Sequence, residues 1–240
     1  MFMKKVGIIL PCYNEEKSAK ENILKIQEYC QGLEDYSFVY IPVNDGSKDN
    51  TKAVLESIDS VDAVSYDDNK GKGHAVTEGL KRALSLECHY MIFMDIDLST
   101  DLEALPKTLK ELEFTDFVIG SRYEKESNIV IKQPFKRRLI SKISRIIIKM
   151  MFRFPTKDTQ CGFKGMNHDC ASLIVNKTLV DNFAFDVEYL YIAKLHKFSM
   201  KPVPVIWKDD RDSRVQAFKS SVKFFFDLFK IKRSKKKYVN

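Results

Sequence analysis

Two aspartates one residue apart, Asp95 and Asp97, follow directly after the apolar run "YMIFM". A strand that ends in this way brings two hard oxygen ligands to the edge of a sheet. Such ligands suit an octahedral Mg2+ or Mn2+ ion that substrate phosphates also bind. We therefore predict that Asp95 and Asp97 hold a divalent metal. The alternative is a pair of surface aspartates before a helix, which Ser99 or Asp101 could cap without them.

A second carboxylate cluster lies in "VNDGSKD", where Asp45 precedes a turn at Gly46 and Ser47 is placed to cap the next helix. A carboxylate in this position can accept hydrogen bonds from ribose hydroxyls or from a base edge. An ordinary connection between a strand and a helix has the same pattern, so this cluster is open to both interpretations.

The segment "NKGKG" combines the backbone amides of Gly71 and Gly73 with the cations Lys70 and Lys72. Amides and ammonium groups together favour phosphate, so we predict a phosphate cradle here. The segment lacks the spacing and the Lys-Ser/Thr ending of a P-loop. The sequence therefore does not predict an ATPase.

These polar clusters interrupt a regular alternation of strand-like and helix-like segments in the first half of the chain. That alternation is typical of an α/β fold, a Rossmann-like and mainly parallel sheet flanked by helices. Ligands bind such sheets beyond the carboxyl ends of the strands. Each of four predicted strands is followed by a polar loop: "PCYNEE", "NDGSKDN", "DDNKGKG" and "DID". We expect the four loops to converge on one rim.

Composition limits the class of protein. The chain has 240 residues and 44% hydrophobic content, enough for one large domain, which we assign to residues 1–215. It contains no apolar run of membrane-spanning length and no signal-cleavage pattern, so we expect a cytoplasmic protein without a membrane span. Five cysteines without a C-x-x-C pair, and four histidines without ligand spacing, argue against a disulfide framework and a zinc site.

Charge is distributed unevenly along the chain. Residues 1–120 hold 13 Lys and Arg against 22 Asp and Glu, whereas residues 121–240 hold 27 against 11. Residues 132–153 contain eight basic residues and no acidic one, with apolar residues at helical spacing. This pattern predicts a basic amphipathic helix that lies on an anionic membrane surface. A core helix with a solvated basic face is the alternative.

The C-terminal residues 216–240 form a second basic amphipathic stretch, which we interpret as a membrane-binding tail. Within residues 218–240 there are eight Lys and Arg and one Asp beside several phenylalanines. Nucleic acid is the other anionic partner to consider. The apolar stripe and the lack of interleaved exposed aromatic residues in 136–149 argue against it, so we expect no nucleic-acid partner.

Taken in order, the motifs resemble those of family 2 glycosyltransferases with a GT-A fold. The matching segments are "PCYNEE", "VNDGSKD", "NKGKG", "DID", "GSR" (120–122) and "DTQCGFK" (158–164). Within that family the chain is similar to polyprenyl-phosphate hexosyltransferases, and "FAFDVEYLYIAK" with "VPVIW" resembles the dolichyl-phosphate glucosyltransferases. Two features depart from the family: the segment "DDRDSRV" replaces a Gly-Ser-Lys pattern, and the membrane segments of many relatives are absent.

The resemblance implies roles for individual residues. The nucleotide-sugar donor would contact nine residues: Pro11, Tyr13, Glu15, Asp45, Lys72, Asp95, Asp97, Arg211 and Arg214. Arg211 and Arg214, together with Ser213, would belong to a flexible lid. The metal, Mg2+ or Mn2+, would be held by Asp95 and Asp97, with Ser99 as a further ligand. The phosphate of a polyprenyl-phosphate acceptor would contact Arg122, Arg137 and Ser141.

The reaction implied is an inverting hexosyl transfer, with UDP-glucose as the leading donor and GDP-mannose next. The catalytic groups would be Asp95 and Asp97, which act through the metal, and the two arginines Arg122 and Arg137. A phosphate acceptor is already an anion and needs positioning more than a general base.

A related transferase that uses a saccharide hydroxyl would need a base, for which Asp158 is the candidate. A non-catalytic membrane binder with the same fold is the remaining alternative. We expect a peripheral enzyme on the cytoplasmic face of a membrane.

Overall fold

In a computed structural model, the structure describes residues 3–131, 135–208 and 217–239, without the side chains of 135–137 and 217–222. Nine strands occur in these ranges: β1 Lys4–Cys12, β2 Tyr36–Asp45, β3 Val64–Tyr66, β4 Tyr90–Met94, β5 Phe117–Ser121, β6 Asn128–Ile131, β7 Phe163–Asn167, β8 Met200–Pro204 and β9 Ile206–Lys208. The helices are α1 Ala19–Gln31, α2 Thr51–Glu56, α3 Lys72–Ser85, α4 Ala104–Glu111, α5 Phe135–Phe152, α6 His168–Lys177, α7 Phe185–Leu195, α8 Ala217–Arg233 and α9 Lys235–Val239.

Seven strands form one sheet in the order β3-β2-β1-β4-β7-β5-β8. All neighbouring pairs are parallel except those of β7, which is antiparallel to both β4 and β5. The predicted α/β sheet is therefore confirmed. The antiparallel β7 was not predicted, and its first residue lies at the edge where the neighbouring strands end. β6 and β9 form a separate parallel pair.

The sheet is covered on both faces because side chains alternate along each strand. In β1, Val6, Ile8 and Leu10 contribute to one buried cluster, whereas Ile9 contributes to the other. The first cluster also contains residues of α1 and α4, and the second contains residues of α3 and α7. A sheet packed on both faces leaves its strand ends as the place where polar groups can meet solvent.

The predicted basic segment 132–153 forms α5 in its described part. Its inward face carries Ser144, Ile148 and Phe152, which are buried. The opposite face exposes four large apolar side chains at helical spacing: Leu139, Ile143, Ile146 and Met150.

The predicted C-terminal segment 216–240 contains α8 and α9, which pack onto the rest of the domain. Leu228, Ile231 and Tyr238 are buried in the same cluster as α7. The Tyr238 hydroxyl donates to the buried Glu188 carboxylate at 2.6 Å, and Lys232 donates to the Met151 carbonyl. Removing this segment would therefore uncover part of the core.

Candidate active site

The carboxylates of Asp95 and Asp97 stand on a tight turn at the end of β4, whose five residues are all buried. The Asp95 amide donates to the Gly162 carbonyl at 3.0 Å, and Leu98 adopts a positive φ of 53°. The Asp97 Oδ1 accepts from the Ser99 amide at 2.9 Å. The turn thus holds both carboxylates at the rim, as the sequence predicted. Ser99 is buried beside them, and its role as a further metal ligand stays a prediction.

Gly162, the residue before β7, closes the other side of this turn. A Cβ at this position would lie 1.9 Å from Asp95 Oδ2 and 2.4 Å from Asp95 Cγ. Only a residue without a side chain allows β7 to approach the carboxylate this closely. Sequence reasoning missed this role, although the glycine lies within the motif "DTQCGFK".

A lysine ammonium lies against one of the two carboxylates that are predicted to hold a metal. Lys72, the first residue of α3, donates to Asp95 Oδ1. Although burial disfavours the ammonium, the carboxylates of Asp95 and Asp186 raise the pKa of Lys72. The group therefore stays positive. The predicted contact of Lys72 with the donor stays a prediction.

A buried ion pair lies behind Lys72. Lys164 is fully buried and donates to the Asp186 carboxylate and, at 2.7 Å, to the Cys161 carbonyl. Burial raises the pKa of Asp186, and the two lysines oppose that rise. Positive and negative side chains thus alternate toward the rim, in the order Lys164, Asp186, Lys72 and Asp95. No role was predicted for either member of this pair: Lys164 ends the motif "DTQCGFK", and the apolar context of Asp186 in "FDVEYLYIA" indicates only a buried helix.

The two aspartates fit a divalent cation. Burial and the adjacent Asp95 carboxylate raise the pKa of Asp97, so a positive charge there would be stabilising. In the part of the chain that the structure describes, no three His, Cys, Asp or Glu side chains converge on one metal position. A cation on Asp95 and Asp97 would therefore take its other ligands from water and phosphate oxygens, as Mg2+ commonly does.

Asp45 has a different environment from the one the sequence suggested. Its buried carboxylate accepts from the Tyr66 hydroxyl at 2.9 Å, from Asn69 Nδ2 at 2.9 Å, and from the amides of Lys70 and Gly71 at 2.8 and 3.0 Å. Asp45 therefore anchors the "NKGKG" loop. The Gly71 amide is occupied by this contact, so the prediction that it cradles a phosphate is wrong for this structure.

Loops after β1 and β2 are joined to each other at the same rim. The Asn14 amide donates to Ser47 Oγ at 3.0 Å, and the Glu15 amide donates to Thr51 Oγ1 at 2.7 Å. Tyr13 is exposed between them, and Pro11 pairs with Val43 at the end of the strands. The structure thus brings Pro11, Tyr13 and Glu15 to the same rim as the end of β2, where Asp45 lies. Their contacts with a nucleotide stay predictions.

The guanidinium of Arg122 lies just after β5 and is held by Asp158. Arg122 Nε and Nη2 donate to the two Asp158 carboxylate oxygens at 2.7 and 2.8 Å, and the Arg122 amide adds a bond of 2.9 Å. Trp207 packs over the guanidinium at 5.0 Å from the ring centroid. Although burial favours the neutral acid, Arg122 lowers the pKa of Asp158, which is 1% exposed. Asp158 is therefore poorly suited to act as a general base.

The turn that carries Asp95 and Asp97 lies near Arg122 because of the order of the strands in the sheet. Only β7 separates β4 from β5, so Asp95 and Arg122 follow strands that lie roughly 10 Å apart. β9 links the two, since Trp207 bridges to Thr100 and the Lys208 amide donates to the Ser99 carbonyl. Ser141 lies on α5. The Arg137 side chain and the residues Arg211, Ser213 and Arg214 lie outside the described part of the structure, so their roles stay predictions.

Comparison with known proteins identifies relatives of this chain. The glycosyl transferase family 2 model matches residues 7–174. The dolichyl-phosphate beta-glucosyltransferase of Drosophila melanogaster is 30% identical over 243 residues, which cover 94% of this chain and 74% of the relative. The Homo sapiens protein of the same name is 29% identical over 246 residues, with 95% and 75% covered.

Solved structures show the same fold. Glucosyl-3-phosphoglycerate synthase from Mycobacterium tuberculosis, in complex with Mn2+, uridine-diphosphate-glucose and phosphoglyceric acid, has a TM-score of 0.70 at 14% identity, and the match covers 96% of this chain and 80% of the other. The fold is therefore of the GT-A type, as the motifs implied. Because the family match spans most of the chain and the rim carries the motifs that first suggested it, this chain belongs to glycosyltransferase family 2 and is a glycosyltransferase.

Proposed function

We propose that this glycosyltransferase moves a hexose from a nucleotide sugar to a polyprenyl phosphate at a membrane surface, with inversion at the anomeric carbon. UDP-glucose is the leading donor and GDP-mannose the next. A divalent cation, Mg2+ or Mn2+, would be held by Asp95 and Asp97. The names of the relatives support the acceptor class and the glucosyl group, because several are dolichyl-phosphate beta-glucosyltransferases.

The pairing of Asp158 with Arg122 is the observation that carries this proposal. A saccharide hydroxyl needs a base to remove its proton, whereas a phosphate monoester is already anionic near neutral pH. Asp158, the candidate base, has both oxygens bound to one guanidinium and a lowered pKa. The site therefore offers an arginine whose carboxylate partner is not free to act as a base. That arrangement favours an acceptor that is itself an anion.

Each group would contribute to a specific part of the transfer. An oxygen of the acceptor phosphate forms a bond to the anomeric carbon while the bond from that carbon to the donor diphosphate breaks. When bound, the divalent cation supplies Lewis-acid stabilisation of the departing diphosphate. Lys72, whose ammonium lies on Asp95, would pair with a diphosphate oxygen, and Arg122 would bind the acceptor phosphate. Attack from the opposite face converts an α-linked donor into a β-linked lipid phosphate.

The exposed apolar surface supports a membrane acceptor. Met150 on α5 is 75% exposed, and Phe226 and Phe229 on α8 are 72% and 56% exposed. Basic side chains flank both helices, which suits an anionic interface. In residues 3–131, 135–208 and 217–239, no helix has both the length and the apolar character required to cross a bilayer. We therefore propose peripheral attachment through α5 and α8.

We place the enzyme on the cytoplasmic face. All five cysteines are buried and unpaired in the structure, which suits a reducing compartment.

An assay with purified protein, Mn2+ and radiolabelled donor tests the proposal. We expect transfer from UDP-glucose to a short, detergent-soluble prenyl phosphate, with a β-linked product and loss of activity in chelator. GDP-mannose in place of UDP-glucose checks the donor, and an oligosaccharide in place of the lipid checks the acceptor. Turnover on the oligosaccharide without turnover on the prenyl phosphate would refute the proposed acceptor.

A further inference from the structure

One basic side chain of α5 differs from its neighbours. Arg138, Lys142 and Lys149 are exposed, as expected of residues that face solvent or lipid headgroups. Arg145 is only partly exposed and follows the buried Ser144 on the inward face of the helix. Its Nε donates to the Ser141 carbonyl at 3.4 Å, which fixes the start of the side chain. Arg145 therefore points away from the proposed membrane surface and into the domain.

Arg145 meets the loop that follows β5. Its guanidinium carbon lies 3.9 Å from the centroid of the Tyr123 ring. The guanidinium of Arg122 lies 6.0 Å from the same centroid. The loop is fixed by its own hydrogen bonds, since Ser127 Oγ donates to the Ser121 carbonyl at 2.6 Å. One aromatic side chain thus holds two guanidinium groups in the same small region.

Among the described residues, only one of these two guanidinium groups has a carboxylate partner. Asp158 neutralises Arg122, but Arg145 forms no ion pair with any carboxylate in the described part of the chain. A partly buried cation is costly unless an anion or several acceptors surround it. Stacking on Tyr123 offsets some of that cost but adds no negative charge. The Glu124 carboxylate of the same loop accepts from Ser121 Oγ at 2.9 Å, so Arg145 is the guanidinium of this cluster that an anionic ligand could pair with.

We propose that Arg145, together with Arg122, binds the phosphate of the acceptor. This inference rests on the proposed function and assigns a residue to it. Planar guanidinium groups bind phosphate oxygens through two parallel hydrogen bonds, which fixes orientation as well as affinity. Asp158 and Tyr123 hold the two guanidiniums before the phosphate arrives. The exposed side chains of Arg138, Lys142 and Lys149 then serve the membrane surface.

The test compares Arg145→Gln with Lys142→Gln, which removes the same charge from the exposed face of the same helix. The first readout is the KM for a short, soluble prenyl phosphate at saturating donor. We expect Arg145→Gln to raise this KM by about 10- to 150-fold, the range for loss of one charge-assisted hydrogen bond. Lys142→Gln should leave it within about twofold, as for most exposed substitutions. The donor KM and the melting temperature should stay near wild type in both variants.

Trp207 provides a direct binding signal. It is the only tryptophan of the chain and lies against Arg122. Its fluorescence should change as prenyl phosphate is added to the wild type and to Lys142→Gln. The same change should require a correspondingly higher concentration in Arg145→Gln, and Arg145→Lys should recover part of the affinity because the charge is restored without the planar fork.

Sedimentation with anionic vesicles distinguishes the acceptor phosphate from phospholipid headgroups. Wild-type vesicle binding by Arg145→Gln, with the KM change confined to that variant, would support the proposal. Loss of vesicle binding in Arg145→Gln with an unchanged KM would assign Arg145 to headgroups and overturn it. Equal KM values for both variants would also overturn it, while leaving the proposed function intact. A wild type that neither binds nor uses prenyl phosphate would instead overturn the proposed function itself, and this inference with it.

Discussion

Gly162→Ala should inactivate the enzyme by displacing the Asp95 carboxylate, which we propose holds the metal, while leaving the fold intact. The new methyl group would begin 1.9 Å from Asp95 Oδ2, whereas Cβ atoms essentially never approach a neighbour closer than 3.0 Å. The carboxylate must therefore move by at least about 1 Å, and a displacement of this size at a reacting site can cost about 100-fold in rate. Asp95 lies at the rim, so its side chain can swing outward and the melting temperature should change little.

The assay measures kcat/KM over a range of Mn2+ concentrations, together with calorimetric titration of Mn2+ in the presence of nucleoside diphosphate. We expect weaker metal binding and a loss of about 100-fold in kcat/KM, because metal ligands tolerate displacements of only about 0.2 Å. Gly32→Ala is the matched control, since a Cβ there would meet only the Tyr29 carbonyl at 3.5 Å.

A double-mutant cycle shows whether the effect acts through Asp95. In an Asp95→Ala background the methyl group has no carboxylate to displace, so Gly162→Ala should then cost little. Full additivity of the two losses would contradict the reasoning. So would a single variant that binds Mn2+ like wild type and keeps kcat/KM within about threefold, since a 1 Å displacement predicts about 100-fold.

Three further predictions follow from the structure. Asp97→Ala should reduce turnover by about 100-fold or more with little change in the melting temperature, because a charge that stabilises the leaving group is lost at the rim. Arg122→Ala should lower the free energy of unfolding by about 3–5 kcal/mol, measured by urea denaturation, because it leaves the buried Asp158 carboxylate unpaired. In the wild type the folded pKa of Asp158 lies below its ordinary value of 3.8, so this stability is present above that pH and is lost as the pH falls through the folded pKa. Phe226→Ser with Phe229→Ser should weaken sedimentation with anionic vesicles without unfolding the protein, because both side chains are exposed.

Each of these predictions has a control. Chelator should reduce wild-type activity as Asp97→Ala does, and activity that survives in chelator would contradict a metal role. If Arg122→Ala had the same free energy of unfolding as the wild type at pH 7, the ion pair between Arg122 and Asp158 would contribute nothing to stability. Phe114 is 81% exposed and follows α4, so Phe114→Ser removes a phenylalanine away from α5 and α8. If Phe114→Ser weakened vesicle binding as much as the α8 substitutions, α8 would not be the specific membrane contact.

Much of the fold could be predicted because local sequence pattern and chain order determine it. Apolar runs and amphipathic segments indicated β1 to β4 and the helices between them. The rule that parallel strands end at one edge placed Asp45 and Asp95 on the same rim. The antiparallel β7 could not be predicted in this way. Its pairing with β4 and β5 joins segments more than 40 residues apart, and no local pattern encodes that choice.

Burial and pairing changed the interpretation of several residues. From the sequence, Asp45 was open to two interpretations, a nucleotide acceptor or part of an ordinary turn, and in the structure its carboxylate accepts from the amides of Lys70 and Gly71. Asp158 looked like a candidate base until its two bonds to Arg122 were known. A sequence shows that a carboxylate is present, whereas only the surrounding atoms decide whether its oxygens are already occupied.

The sequence by itself determined the family, the α/β fold and the presence of Asp95 and Asp97 at a strand end, because these depend on residue type, order and local periodicity. Only the tertiary structure decided that Gly162 lies against Asp95, that Lys72 places its ammonium there, and that Arg145 points inward at Tyr123. Such contacts join elements distant along the chain, and they depend on how the helices and strands pack. Small differences in packing decide whether a charge faces solvent, lipid or the reacting groups.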